Sequence, residues 1–173
     1  MKTKWIVNSN HSEALIRMKH SIIAYLDGTF NNFQGYADFN NNEIENATIT
    51  FSLDFKNKKS RLEQFGNYLK LNSFFDINQF PTISFKSTSF QKVNKNIHFI
   101  KGDLTIKNIT KTVELDVAPI ENNYFYDEKK RAFELTASIN KKDFGLSSHS
   151  QQSNNRTTKG EDFKIVANVE FNI

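Results

Sequence analysis

No cysteine occurs among the 173 residues. Disulfides and thiolate-bound metals are thereby excluded, and the fold depends on no oxidising compartment. No stretch approaches the roughly 18 consecutive apolar residues of a membrane-spanning helix. Met1-Lys2-Thr3-Lys4-Trp5 passes directly into a strand pattern, without the sections of a signal peptide. A cytoplasmic location is therefore expected, or a periplasmic one where a leader has been removed. The formal net charge of +4 is spread over Lys56, Lys58, Lys59 and Arg61, then Lys129, Lys130 and Arg131, then Lys141 and Lys142. None of these is a run of five, and acidic residues sit close to most of them. That is a solvated surface and no nucleic-acid footprint.

Catalytic signatures are equally scarce. Neither a G-x-S-x-G elbow nor a G-x-x-x-x-G-K-[ST] loop is present. His-Ser occurs at His11-Ser12, His20-Ser21 and His149-Ser150, but neighbours on a strand point to opposite faces and are poorly placed as base and nucleophile. His11, His20, His98 and His149 lack metal-ligand spacing. Glu43 and Glu45 share one strand face and read as solvated carboxylates. Gly28, Gly35 and Gly102 fit backbone bends better than a phosphate cradle.

What the chain does have is phenylalanine, 17 of them against 2 Met and 1 Trp, which suggests a wide interior lined by rings. The length fits one domain, residues 1–173. Period-2 alternation, the mark of an antiparallel sheet with one buried face, runs unbroken through Ala47, Ile49, Phe51, Leu53 and Phe55. It recurs in Ala14, Ile16 and Met18; in Val113, Leu115 and Val117; in Phe133, Leu135, Ala137 and Ile139; and in Phe163, Ile165, Ala167, Val169, Phe171 and Ile173. From Asn96 to Pro119 the apolar residues are odd-numbered at Ile97 and Phe99 but even-numbered at Leu104 and Ile106. Such a change of parity predicts a bulge or bend at Gly102. Helical spacing of Leu62, Phe65 and Leu69 behind the capping box Ser60-x-x-Glu63 predicts a short helix within Lys56–Asn72, weakened at Gly66. Ser147–Gly160 reads as a polar loop, and long loops in compact barrels sit at a mouth.

Several segments resemble the YceI-like family. They are Gly102-Asp103-Leu104-Thr105-Ile106-Lys107, then Thr110-Lys111-x-Val113-x-Leu115-Asp116-Val117, and Phe74-Phe75-Asp76 ahead of Phe80-Pro81-Thr82-Ile83-Ser84-Phe85. Trp5, His11-Ser12 and Lys19-His20 occupy matching places. So do Gly28, Phe30, Phe33 and Gly35, and so does Lys141-Lys142-Asp143-Phe144-Gly145. The resemblance spans Trp5 to Glu170. It departs at Phe65-Gly66-Asn67-Tyr68-Leu69, where the family has Arg-Asp-x-His-Leu.

Roughly eight strands enclose either packed side chains or one small ligand. The expected fold is all-β, an antiparallel eight-stranded lipocalin-like barrel with one or two short helices. The resemblance implies a long-chain isoprenoid or similar amphiphilic lipid in the lumen, bound, carried or sequestered without catalysis. The lumen residues expected to meet it are Phe51, Phe55, Phe85, Phe99, Phe133, Phe163 and Ile165. No metal or cofactor is expected besides the bound lipid. The partners implied are the small hydrophobic ligand, a membrane touched transiently and a second copy in a homodimer, with no nucleic acid. A redox-stress or enzymatic barrel acting on an isoprenoid quinone is the alternative from another class.

Overall fold

The computed structural model describes residues 2–19, 25–30, 32–40, 43–55, 75–93, 98–120, 130–146 and 162–172. The helix expected within Lys56–Asn72 and the loop Ser147–Gly160 lie outside these residues. The alternating segments form β1 (Lys2–Val7), β2 (Glu13–Lys19), β3 (Tyr25–Phe30), β4 (Phe33–Asn40), β5 (Glu43–Asp54), β6 (Thr82–Lys92), β7 (His98–Ile106), β8 (Ile109–Pro119), β9 (Lys130–Asn140) and β10 (Asp162–Asn172). They join in one antiparallel sheet, ordered β1-β4-β5-β6-β7-β8-β9-β10-β2-β3. Its ends meet where β1 pairs with β10 through Ile6↔Asn172 and Val7↔Phe171.

Ten segments make eight barrel strands, because two barrel strands are broken. The first half of β10 pairs with β2, from Phe163↔Met18 to Asn168↔Glu13, and its last residues pair with β1. β1 and β2 are thus successive halves of one strand. Their partners β4 and β3 repeat the division. The result is the closed eight-stranded antiparallel barrel that the alternation predicts, and closure removes most exposed sheet edges.

The first break falls at the polar cluster Asn8–Ser12. A 3-10 turn spans Ser9–His11, and the Asn8 side chain accepts a hydrogen bond from the Asn10 N–H at 3.2 Å. The interruption would orphan backbone groups of β10, which buried segments do not tolerate. Two contacts prevent it: the Asn8 N–H donates to the Glu170 carbonyl at 2.7 Å, and the Glu170 N–H donates to Ser12 Oγ at 3.0 Å. Outside, the Glu170 carboxylate accepts from Asn8 Nδ2 at 3.1 Å and meets His11 Nδ1 at 3.1 Å and Lys130 Nζ at 3.8 Å. His11-Ser12 therefore splices a strand.

One expectation of register is corrected. β7 does not change parity: His98, Ile100, Gly102, Leu104 and Ile106 all face inward, and Phe99 is only half-buried between two buried neighbours. The irregularity lies on the partner strand, between Ser87 and Ser89 of β6, opposite Gly102 and Lys101. There the inward residues pass from Ile83 and Phe85 to Phe90. A histidine facing in and a phenylalanine facing out produced the false parity signal. Beyond Ile106 the chain reverses through Lys107 and Asn108, both at positive φ (52° and 62°), the geometry of a two-residue type I′ hairpin.

Candidate functional site

The interior can be followed along β10. Its inward residues are Phe163, Ile165, Ala167, Val169 and Phe171. The rings at its two ends belong to separate aromatic clusters. Phe163 stands edge-on to Phe75 at 5.6 Å, and Phe75 lies 5.2 Å from Phe55. All three are at most 1% exposed and close one end of the barrel. They are joined there by the buried Phe144 and Leu146, around a second 3-10 turn, Lys141–Phe144, that ends at Gly145 in the left-handed region. At the other end of β10, Phe171 packs against Trp5 and Phe133, each at 6.0 Å, and against Phe51 at 6.2 Å.

Between these clusters lies a cavity. Its atom-free space, mouth included, is about 570 Å³, of which the centres of water-sized spheres can occupy about 60 Å³. Every surface it presents is apolar. Phe33, Phe51, Leu53, Ile83, Phe85 and Leu104 line one side, together with apolar atoms of Ser84; Leu115, Leu135, Ile165 and the alanines 14, 137 and 167 line the other.

The alanines explain why there is room. Ala167 pairs with both Ala14 and Leu135, and Ile165 pairs with Ala137, so small residues cluster on the β2–β10–β9 wall. Two glycines make room on the opposite wall. A Cβ on Gly35 would sit 2.7 Å from Phe51 Cδ1 and collide with the Thr50 carbonyl; one on Gly102 would sit 2.7 Å from Phe85 Cε2 and 2.5 Å from the Lys86 carbonyl. Neither glycine has a positive φ. Their role is to let the rings of Phe51 and Phe85 lie against the barrel wall.

Of the expected lumen residues, Phe51, Phe85 and Ile165 line the cavity. Phe55 and Phe163 belong to the cluster that closes one end, and Phe133 to the Trp5–Phe171 cluster. Phe99 is corrected: it lies on the opposite face of β7 from Ile100 and does not reach the lumen. Sequence reasoning missed the alanines, whose signal was inward parity combined with small size. It also missed the leucines, eclipsed by the abundance of phenylalanine. His98 faces inward, its ring 5.4 Å from that of Phe90, but it is not part of the cavity lining.

Chemically, the cavity can solvate an apolar chain. None of the described lining residues is ionisable, so none can move a proton. Among the described residues no three His, Asp or Glu side chains gather as metal ligands would.

Comparison with known proteins agrees with this architecture. A UPF0312 protein of Staphylococcus aureus (strain N315) is 25% identical over 173 residues, covering 99% of this chain and 98% of that protein. Burkholderia cenocepacia BcnA superposes with a TM-score of 0.72 at 16% identity, over 95% of this chain and 98% of its own. A polyisoprenoid binding domain from Saccharophagus degradans superposes with a TM-score of 0.65 at 8% identity, over 97% of each chain. These two likenesses show a shared fold. The sequence profile of the YceI-like domain matches residues 5–171, and the chain belongs to that family.

Proposed function

We propose that the barrel binds one long-chain isoprenoid or similar amphiphilic lipid, its tail in the lumen, and carries or sequesters it without chemical change. The observation that carries this reading is a wholly apolar cavity between two aromatic clusters, kept open by small residues on both walls. The polyisoprenoid-binding description of the Saccharophagus domain supports it.

Each methylene taken from water contributes about 0.8 kcal/mol, and ordering the chain opposes that gain. A membrane solvates the same tail equally well. Preference for the protein must therefore come from shape and from the head group, and loading involves transient contact with a membrane. The room of about 60 Å³ for the centre of a water-sized sphere is short for a long tail, so binding requires Phe51, Phe85 or Leu115 to turn aside. Side-chain rotations of this kind are common on binding.

Mass spectrometry of an organic extract of the purified protein is the direct test. One long-chain lipid per barrel is expected. Protein that carries no lipid, and takes up no isoprenoid or fatty chain from solution, would leave a filled core in place of a lumen.

A further inference from the structure

The wall of the barrel is not laddered along its whole length. β8 and β9 pair only between Asp116–Pro119 and Phe133–Thr136. From Leu115 back to Ile109 on β8, and from Ala137 on to Asn140 on β9, no pairing joins the two strands. Yet β7 still pairs with β8 and β10 with β9 on their outer sides. The lower part of this gap is covered: the 3-10 turn Lys141–Phe144 packs on both strands, and Gly145 lies against Ile109. The upper part is bounded by Leu115 and Ala137, which would be the next pair if the ladder continued. Both line the cavity. Leu115 faces inward but is only half-buried, whereas Val117, two residues on, is 5% exposed.

A second gap differs in each of these respects. Between β5 and β6 the pairing also stops, at Thr50↔Lys86. There the next N–H, that of Ile49, donates to Ser87 Oγ at 2.8 Å, Ile49 and Ala47 are buried, and neither lines the cavity. That gap is sealed, whereas among the described residues none seals the one beside Leu115.

We infer that the seam between β8 and β9, at Leu115 and Ala137, is a lateral portal through which an amphiphile's chain enters and leaves the lumen. The inference rests on the lipid-binding reading above. One end of the lumen is closed by the buried rings of Phe55, Phe75 and Phe163; at the other the buried Phe171 and Phe51 pack with the half-buried Trp5 and Phe133, so opening either end would pull packed rings apart. At the seam, among the described residues, only the Leu115 side chain has to move, and no main-chain hydrogen bond of the β8–β9 ladder has to break.

The absence of cysteine makes the test clean. Continuing the Asp116↔Thr136 register places Glu114 opposite Ser138, both exposed. Glu114→Cys with Ser138→Cys, bridged by a short reducible bis-thiol linker, sews the seam. Ser138→Cys with Lys164→Cys, bridged identically across the laddered β9–β10 pair, is the control. Uptake of cis-parinaric acid from phosphatidylcholine vesicles, and its release, are followed by stopped-flow fluorescence. Sewing the seam should slow both rates by about tenfold or more while leaving Kd within about twofold, the signature of a blocked path rather than a damaged site. Reduction should restore the rates, and the control should exchange normally. Leu115→Trp, which fills the gap without a linker, should slow exchange in the same direction. Exchange with the seam sewn as fast as in the unlinked protein, or equal slowing in the control, overturns the portal. Failure of unmodified protein to bind the probe at all overturns the lipid reading, and the portal with it.

Discussion

Ala167→Leu separates a lumen from a filled core by the sign of its effect. Ala167 is 4% exposed, lines the cavity and has Ala14 and Leu135 as its strand partners. Leucine adds three carbons at this point. Placed in empty apolar space they contribute about 2.4 kcal/mol at about 0.8 kcal/mol per methylene, less about 0.5–1 kcal/mol for fixing the side chain. Lipid-free protein should therefore gain about 1.5 kcal/mol in urea unfolding, with a Tm higher by about 3–6 °C for a chain of this size. The same carbons occupy space that a bound tail would use. Displacing three methylenes costs the complex about 2.4 kcal/mol, which is about fiftyfold in Kd, read by titration with cis-parinaric acid. Stability and affinity should move in opposite directions. A close-packed core behaves otherwise, since extra carbons there cost about 1–3 kcal/mol through forced rotamers and backbone shifts. A destabilised Ala167→Leu protein with unchanged binding would refute the lumen.

The strand register has its own tests. Ile165→Glu buries an unpaired charge and should unfold the barrel or abolish binding, whereas the exposed Lys164→Glu should do neither by circular dichroism and probe titration. Ile100→Ala should cost about 2–5 kcal/mol in denaturant unfolding as a buried large-to-small change, while Phe99→Ala, on the other face, should cost less than about 1 kcal/mol. A Phe99→Ala protein as unstable as Ile100→Ala would restore the parity that the fold overturns. At the break between β1 and β2, Ser12→Ala strips the acceptor from the Glu170 N–H and should cost about 1–3 kcal/mol. His11→Ala removes an exposed partner of the Glu170 carboxylate and of Asn8 and should cost under about 1 kcal/mol; equal losses would show that the outer contacts, rather than the hydroxyl, hold the splice.

The strands with strict alternation were legible because their inward residues are apolar and their outward ones polar. Ala47 to Phe55, Leu135 to Ile139 and Phe163 to Phe171 face as period 2 dictates. Reading failed where chemistry and direction disagree. His98 points inward and Phe99 outward, so the count of apolar positions slips by one and points to a bulge at Gly102 rather than in β6. The lumen itself was only half legible. Large rings announce an interior, but space within it is set by residues that contribute little volume, such as Ala14, Ala137, Ala167, Gly35 and Gly102. Nothing local in a sequence says that these meet across strands far apart in the chain. The seam beside Leu115 was not legible at all, because where a ladder ends depends on how two strands diverge in space.

Closure of the barrel through Val7 and Phe171 has a consequence for how the protein comes into being. Asn8 and its acceptor Glu170 lie 162 positions apart, so the first strand leaves the ribosome long before its partner is made. At about 5–20 residues per second, β1 and β2 wait many seconds with one edge unsatisfied, while the hairpins from β4 to β9 pair as they appear. Until β10 emerges there is no enclosed lumen, only a curled sheet with a greasy inner face. Contacts this distant make folding slow and leave the nascent sheet prone to sticking to other chains. Under the lipid-binding proposal, an apolar chain that met that open face during synthesis would be enclosed when β10 docks, and the barrel would fold around it.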